Sequence, residues 1–223
     1  MINLLKHCQT IAEFGGPSPL FDEYGIYNQF PNIDGYNIFE NNYWQKEFKE
    51  NYRGIGKQFN QDIVEIKPIE NKSVCTLNPN TKYDLILCSH VIEHIANPLK
   101  ALYNWGQILN ESGLIFSIIP DKSMMFDCKR PVTSMSHLVT DYYHKTGEED
   151  ETHIEEALKL FVNNGEYDYD NYIKSSKNNL LYRAIHHHCF NAKLVKQMFE
   201  FMFYDVIHQE QRGMHIITIV KKR

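Results

Sequence analysis

YDLILCSHVIEHIANPLKALYNWGQILNESGLIFSIIPDK, residues 83–122, reads as strand, polar corner, capped helix, turn and strand. Tyr83 to Leu87 is an apolar run too short for a helix, as expected of a parallel strand covered on both faces. It ends abruptly in Cys88, Ser89 and His90. Asn97 suits a helix N-cap and Pro98 the first helical position, where no backbone donor is needed. Leu99, Leu102, Gly106 and Leu109 then recur at helical spacing, so one stripe packs back on the sheet. Asn110 to Gly113 carries turn chemistry, and Leu114 to Ile119 reads as a second buried strand closing on Pro120, Asp121 and Lys122. Open α/β sheets bind ligands in the crevice outside the carboxyl ends of their strands. Ser89 and His90 therefore belong at a pocket rim.

Further along come Phe126-Asp127, Arg130-Pro131-Val132-Thr133, His137, Asp141 and a segment from Arg183 to Phe190 containing His186, His187 and His188. Together with the Ser89-His90-x-x-Glu93-His94 corner and the Asn97-Pro98 helix start, this pattern resembles the class I S-adenosylmethionine-dependent methyltransferases, in particular their type-11 branch. The resemblance covers most of residues 10–200 and is densest over 83–156. It implies an α/β, Rossmann-like fold: a mostly parallel sheet with helices on both faces and an antiparallel edge strand. It implies S-adenosyl-L-methionine as cofactor, and cofactor contacts from Ser89 and His90.

In such families a first strand ends in an acidic residue and a glycine-rich turn. Glu13-Phe14-Gly15-Gly16-Pro17-Ser18 occupies that place, without the usual Gly-x-Gly-x-Gly. Glycine suits the turn because a Cβ would block close approach and disfavour positive φ. The resemblance thus assigns Glu13, Gly15 and Gly16 to the cofactor. An acid at the end of the second strand would accept from the ribose hydroxyls. Asp34 is the best-placed candidate, with an ordinary Asp-Gly turn as the alternative. Asp62 is assigned to the adenine amino group, although Val74 to Leu77 could form that segment instead.

The chain has 223 residues, 43% of them hydrophobic, enough for one sizeable core. One domain over 1–223 is expected, with an inserted or lid-like segment at about 123–185. A formal charge of -5 with no basic stripe argues against a nucleic-acid partner. Neither a membrane-spanning apolar run nor an export signal is legible, so a cytoplasmic protein is expected. The five cysteines are odd in number and lack metal or redox spacing, and read as reduced thiols. The acidic run 147–156 reads as a solvated helix face and 163–180 as a loop or lid. A helix is expected around Ala192 to Phe203 and a last strand near Ile216 to Val220, paired antiparallel at the sheet edge, with Gly213 at the turn.

Methyl transfer to a hydroxyl needs positioning and one proton acceptor. Imidazole titrates near neutrality and suits that task. Of eleven histidines, His94 beside the rim and His137 after the fifth strand are assigned to catalysis. Glu93, His94 and His90, joined by one of His186 to His188, carry donors that Zn, Mn or Fe accept. The Glu-His pair is nevertheless widespread in type-11 sequences with no metal implied, and three consecutive histidines place at most alternate side chains on one strand face. No metal is assigned from sequence. The expected activity is O-methylation of a small molecule or sugar, in connection with surface glycans. The alternatives are a methyltransferase-like binding protein without turnover and, disfavoured for lack of Gly-x-Gly-x-x-Gly, a nicotinamide-dependent hydride-transfer enzyme. Oligomeric state is left open.

Overall fold

The computed structural model describes residues 1–30, 33–36, 82–163 and 168–223. Asp62 and the alternative Val74–Leu77 lie outside the described residues. Strands are β1 (Ile11–Phe14), β2 (Asp34–Tyr36), β3 (Tyr83–Ser89), β4 (Leu109–Pro120), β5 (Tyr204–Arg212) and β6 (His215–Lys222). They form one sheet in the order β2-β1-β3-β4-β6-β5. The first four run parallel, while β6 is antiparallel to both β4 and β5.

Helices α1 (Pro19–Glu23) and α2 (Ile26–Gln29) cover one face, and α3 (Pro98–Ile108) and α8 (Ala192–Phe201) the other. Alternation along the strands feeds the two cores. Ile86, Cys88, Ile115 and Ile119 pack on Leu99, Leu102, Trp105 and Met198. Leu85, Leu87, Phe116 and Ile118 pack on Phe21, Ile26 and Phe30. Phe14 stacks on Trp105 with centroids 4.9 Å apart, tying β1 to α3. A third cluster of Met125, Phe126, Ala157, Tyr172 and Ile185 lies under the segment after β4, which carries α4 (Met135–His144), α5 (Ile154–Lys159), α6 (Tyr169–Ser176) and α7 (Asn179–Tyr182).

The structure departs from the sequence expectations at four places. Leu109 leaves the helical stripe and begins β4, and Asn110 to Gly113 is extended rather than a turn. Tyr83 faces Leu109 but Leu85 already faces Leu114, so a bulge absorbs the extra residues. The antiparallel strand β6 is interior, and β5 takes the edge. Residues 169–176 form a helix, capped by Asp168 Oδ1, which accepts from Asp170 N and Asn171 N. The acidic run is only partly solvated: Glu148 turns inward to the Arg183 guanidinium, and Glu156 lies 3.3 Å from that of Arg130.

Asn97 joins two of these elements. Its Oδ1 accepts from Lys100 N at 3.0 Å, and its Nδ2 donates to Asp141 O at 2.8 Å, binding the start of α3 to α4. Losing an N-cap costs about 1–2 kcal/mol. Asn97→Ala is expected to lower stability by that amount in urea unfolding. A loss under about 0.5 kcal/mol would show that neither bond matters.

Candidate functional site

The carboxyl ends of β1, β3 and β4 share one edge of the sheet. After β1 the chain turns through Gly15 at φ 75, and after β3 through His90 at φ 53. A Cβ on Gly15 would overlap Val91 Cγ2, and one on Gly16 would overlap the Glu13 carboxyl. Only glycine therefore lets the two turns approach, and the Gly15 backbone is left exposed at the edge. Ser18 Oγ donates to Ser89 Oγ at 2.9 Å, which links the corners.

Glu13, Gly15, Gly16, Ser89 and His90 are thus brought together, but Glu13 does not face the crevice. It is 1% exposed, and its Oε1 accepts from Tyr27 Oη at 2.7 Å and from Ser18 N at 3.2 Å. It props the glycine turn from beneath. Burial pushes its carboxyl up to about 7, with Tyr27 and Ser18 holding it down in part. Asp34 is not at this edge either. It opens β2, opposite Ala12, and accepts from Tyr83 Oη at 2.9 Å where β3 also begins. That is the amino end of the sheet, so the expected ribose contact is corrected.

A wall of imidazoles stands over the β3–β4 side. The segment 185–190 crosses here: His188 N donates to Glu93 O at 3.3 Å and Lys122 N donates to Phe190 O at 2.9 Å. His94 Nδ1 donates to Ile185 O at 2.9 Å, and burial together with the neighbouring His186 holds its pKa well below the usual imidazole value. His90 Nε2 lies 3.1 Å from His215 Nδ1, and burial with His215 close by drives its pKa down to about 3. His186 Nδ1 lies 3.0 Å from Asp127 Oδ2. Burial opposes charge on both; their attraction prevails, raising His186 and lowering Asp127 to about 2.

His137 sits apart from His94 in a second group. Its Nε2 lies 3.1 Å from His153 Nε2 and 3.3 Å from Asp141 Oδ2, with the His188 ring 5.6 Å away. His187 turns elsewhere, accepting from Asn179 Nδ2. The sequence reading did not assign His153, Asp127 or Arg130 to the site. The sequence signal for Asp127 and Arg130 is their place in the family-like pattern and for His153 only its being one of the histidines, within the acidic run, because their mutual contacts span many residues.

The turn and corner fit a cofactor whose backbone-side approach needs bare main chain, while the acidic ribose partner is not supplied by Asp34. The methyltransferase-domain family model matches residues 15–209. Among curated proteins, none matches the chain by sequence. In fold the chain is similar to an S-adenosylmethionine-dependent methyltransferase from Clostridium acetobutylicum ATCC 824, at TM-score 0.51 and 12% identity over 96% of this chain and 83% of that one. It is likewise similar to one from Mesorhizobium loti, at TM-score 0.50 and 12% identity over 96% and 90%. A mitomycin 7-O-methyltransferase is matched over 50% of its own length, at TM-score 0.49 and 13% identity. With a family match over most of its length on a Rossmann-like sheet, the chain belongs to the methyltransferase-domain family and is a class I S-adenosylmethionine-dependent methyltransferase.

Proposed function

We propose that the chain methylates an oxygen of a small hydroxylated acceptor, a small molecule or a sugar, as in surface-glycan synthesis. The observation that supports this reading is the concentration of imidazoles after β3: His94 against Ile185 O, and a second group in which His137 meets His153. A nitrogen or sulfur nucleophile needs less help with its proton, whereas a hydroxyl needs a base. On α4, the exposed Tyr143, with its ring 5.9 Å from that of Tyr142, offers an aromatic face that would suit a sugar ring.

When bound, S-adenosylmethionine supplies an activated methyl group with its own leaving group. The chain's share is to orient and to accept one proton. Gly15, Gly16, Ser89 and His90 hold the cofactor side. His137 takes the acceptor's proton at an imidazole nitrogen, and the Asp141 carboxylate at 3.3 Å steadies the cation that results. His94, kept neutral, is the second candidate for that proton. Among the described residues no helix is long and apolar enough to cross a membrane, and Cys8, Cys88, Cys128 and Cys189 are free thiols. Free thiols support a reducing, cytoplasmic setting.

The test is transfer of a radiolabelled methyl group across a panel of sugars, nucleotide sugars and phenols. Label is expected on oxygen in one acceptor class. His137→Ala should bind S-adenosylhomocysteine like the wild type while turnover falls about 100- to 10,000-fold. Tight product binding with no label on any acceptor would favour the binding-protein reading instead.

A further inference from the structure

We propose that Glu93, His94 and His186 form a binding site for a divalent first-row transition metal ion, partly open to solvent through His94. One ligand atom from each lies within 4.8 Å of the other two. The residues come from the turn after β3 and from the segment laid across it, and the two imidazole rings meet edge to face at 4.8 Å.

The hydrogen bonds around the cluster decide which atoms carry lone pairs. Ile185 O can only accept, so the His94 Nδ1 it touches carries the hydrogen and His94 Nε2 is bare. His186 Nδ1 lies 3.0 Å from Asp127 Oδ2, and with Nδ1 engaged there Nε2 is that ring's free ligand atom. Glu93 is 1% exposed, and neither of its carboxyl oxygens has a hydrogen-bond partner among the described residues. His94 Nε2 lies 3.8 Å from Glu93 Oε1. Three possible ligand atoms therefore converge in a buried place, with His90 Nδ1 standing 3.5 Å from Glu93 Oε1 beside them. A single proton can join two of them; a cation satisfies all three.

The surroundings have the form that orients metal-ligating histidines, with each ring's other nitrogen bound to a carboxylate or a carbonyl. Asp127 is in turn held by Cys189 Sγ at 3.1 Å and faces the Arg130 guanidinium at 3.6 Å. Two imidazoles and one carboxylate suit zinc or iron and leave coordination positions free. His94 keeps 25% of its side chain exposed, so the cluster is not sealed from solvent. If the methyl-transfer reading holds, an acceptor oxygen bound there loses its proton more readily, and His94 becomes a ligand, leaving the proton to His137. That last step rests on the proposed function; ion binding itself does not.

The test uses untagged protein freed of metal by chelator, titrated calorimetrically with Zn2+ and, in parallel, with Co2+ followed by visible absorption. A neighbouring group of His137, His153 and His188 also gathers within 4.8 Å, so His153→Ala is titrated beside the wild type. Both are expected to bind one tight equivalent that Glu93→Gln and His186→Asn each weaken by at least about 100-fold, and Asp127→Asn by about 10- to 100-fold. The Co2+ bands should vanish in Glu93→Gln. Equal Zn2+ affinity in wild type and Glu93→Gln, or loss of the tight equivalent in His153→Ala alone, overturns the site. Should Glu93→Gln not fold by circular dichroism, His94→Gln and Asp127→Asn decide. Titration with S-adenosylhomocysteine is run separately: its failure would count against the methyltransferase reading and leave the metal result standing.

Discussion

Gly15→Val is expected to lower affinity for S-adenosylmethionine and S-adenosylhomocysteine by at least about 100-fold, roughly 2.7 kcal/mol. Two effects add. The residue sits at φ 75, where a β-branched side chain costs about 1–2 kcal/mol or more. Its Cβ would also overlap Val91 Cγ2, and Val91 belongs to the packed core between sheet and α3. Relief requires the β1 turn to move away from the β3 corner, which displaces the exposed main chain that a ligand must approach. Gly15→Ala carries the same overlap with a lesser backbone penalty, and should fall between valine and wild type. Calorimetric titration of variants that keep wild-type circular dichroism checks the ordering. A folded Gly15→Val binding within about threefold of wild type would show that the cofactor does not use this turn.

The legible parts of the chain were those where local pattern and tertiary demand coincide. Residues 83–122 announce themselves because the period changes from strand to helix at Asn97-Pro98, and those two residues do cap α3. Ser89 and His90 could be placed because a polar residue directly after a fully buried strand has nowhere to be but the sheet edge. Asp34 shows the opposite case. Entry to and exit from a three-residue strand look alike in sequence, and only the pairing of Asp34 with Ala12 reveals which end it occupies. β5 was not readable because its residues alternate only weakly, with Asp205, His208, Gln209 and Glu210 among them and a register shift between Val206 and His208. α6 was hidden by its polar surface, since only Tyr172 and Ser176, one turn apart, face inward. The imidazole groups were the least legible. His186 meets Asp127 across 59 residues and His137 meets His153 across 16, distances to which no periodicity applies. The consecutive histidines could be seen to split between faces, but not that His186 joins Glu93 while His188 approaches His137.

Glu13→Gln is expected to make the protein more stable at pH 8 by about 3 kcal/mol while changing little near pH 4. The folded protein raises the Glu13 carboxyl from 4.5 to about 7 because burial disfavours the charge. Below the ordinary value the side chain is protonated in both states and costs nothing. Between 4.5 and about 7 the unfolded chain releases its proton while the native chain keeps it, so stability declines as pH rises. Above that range both states are ionised and the full penalty of burying the charge stands. Glutamine cannot ionise, yet its Oε1 can still accept from Tyr27 Oη and Ser18 N, the two bonds that fix the turn. Urea unfolding of both proteins at pH 5 and pH 8 isolates the effect, since every other titrating group is common to the pair. A gap of the same size at both pH values would mean that water reaches the carboxyl. The platform under Gly15 would then be loose rather than dry, and the valine substitution above it would find room to relax.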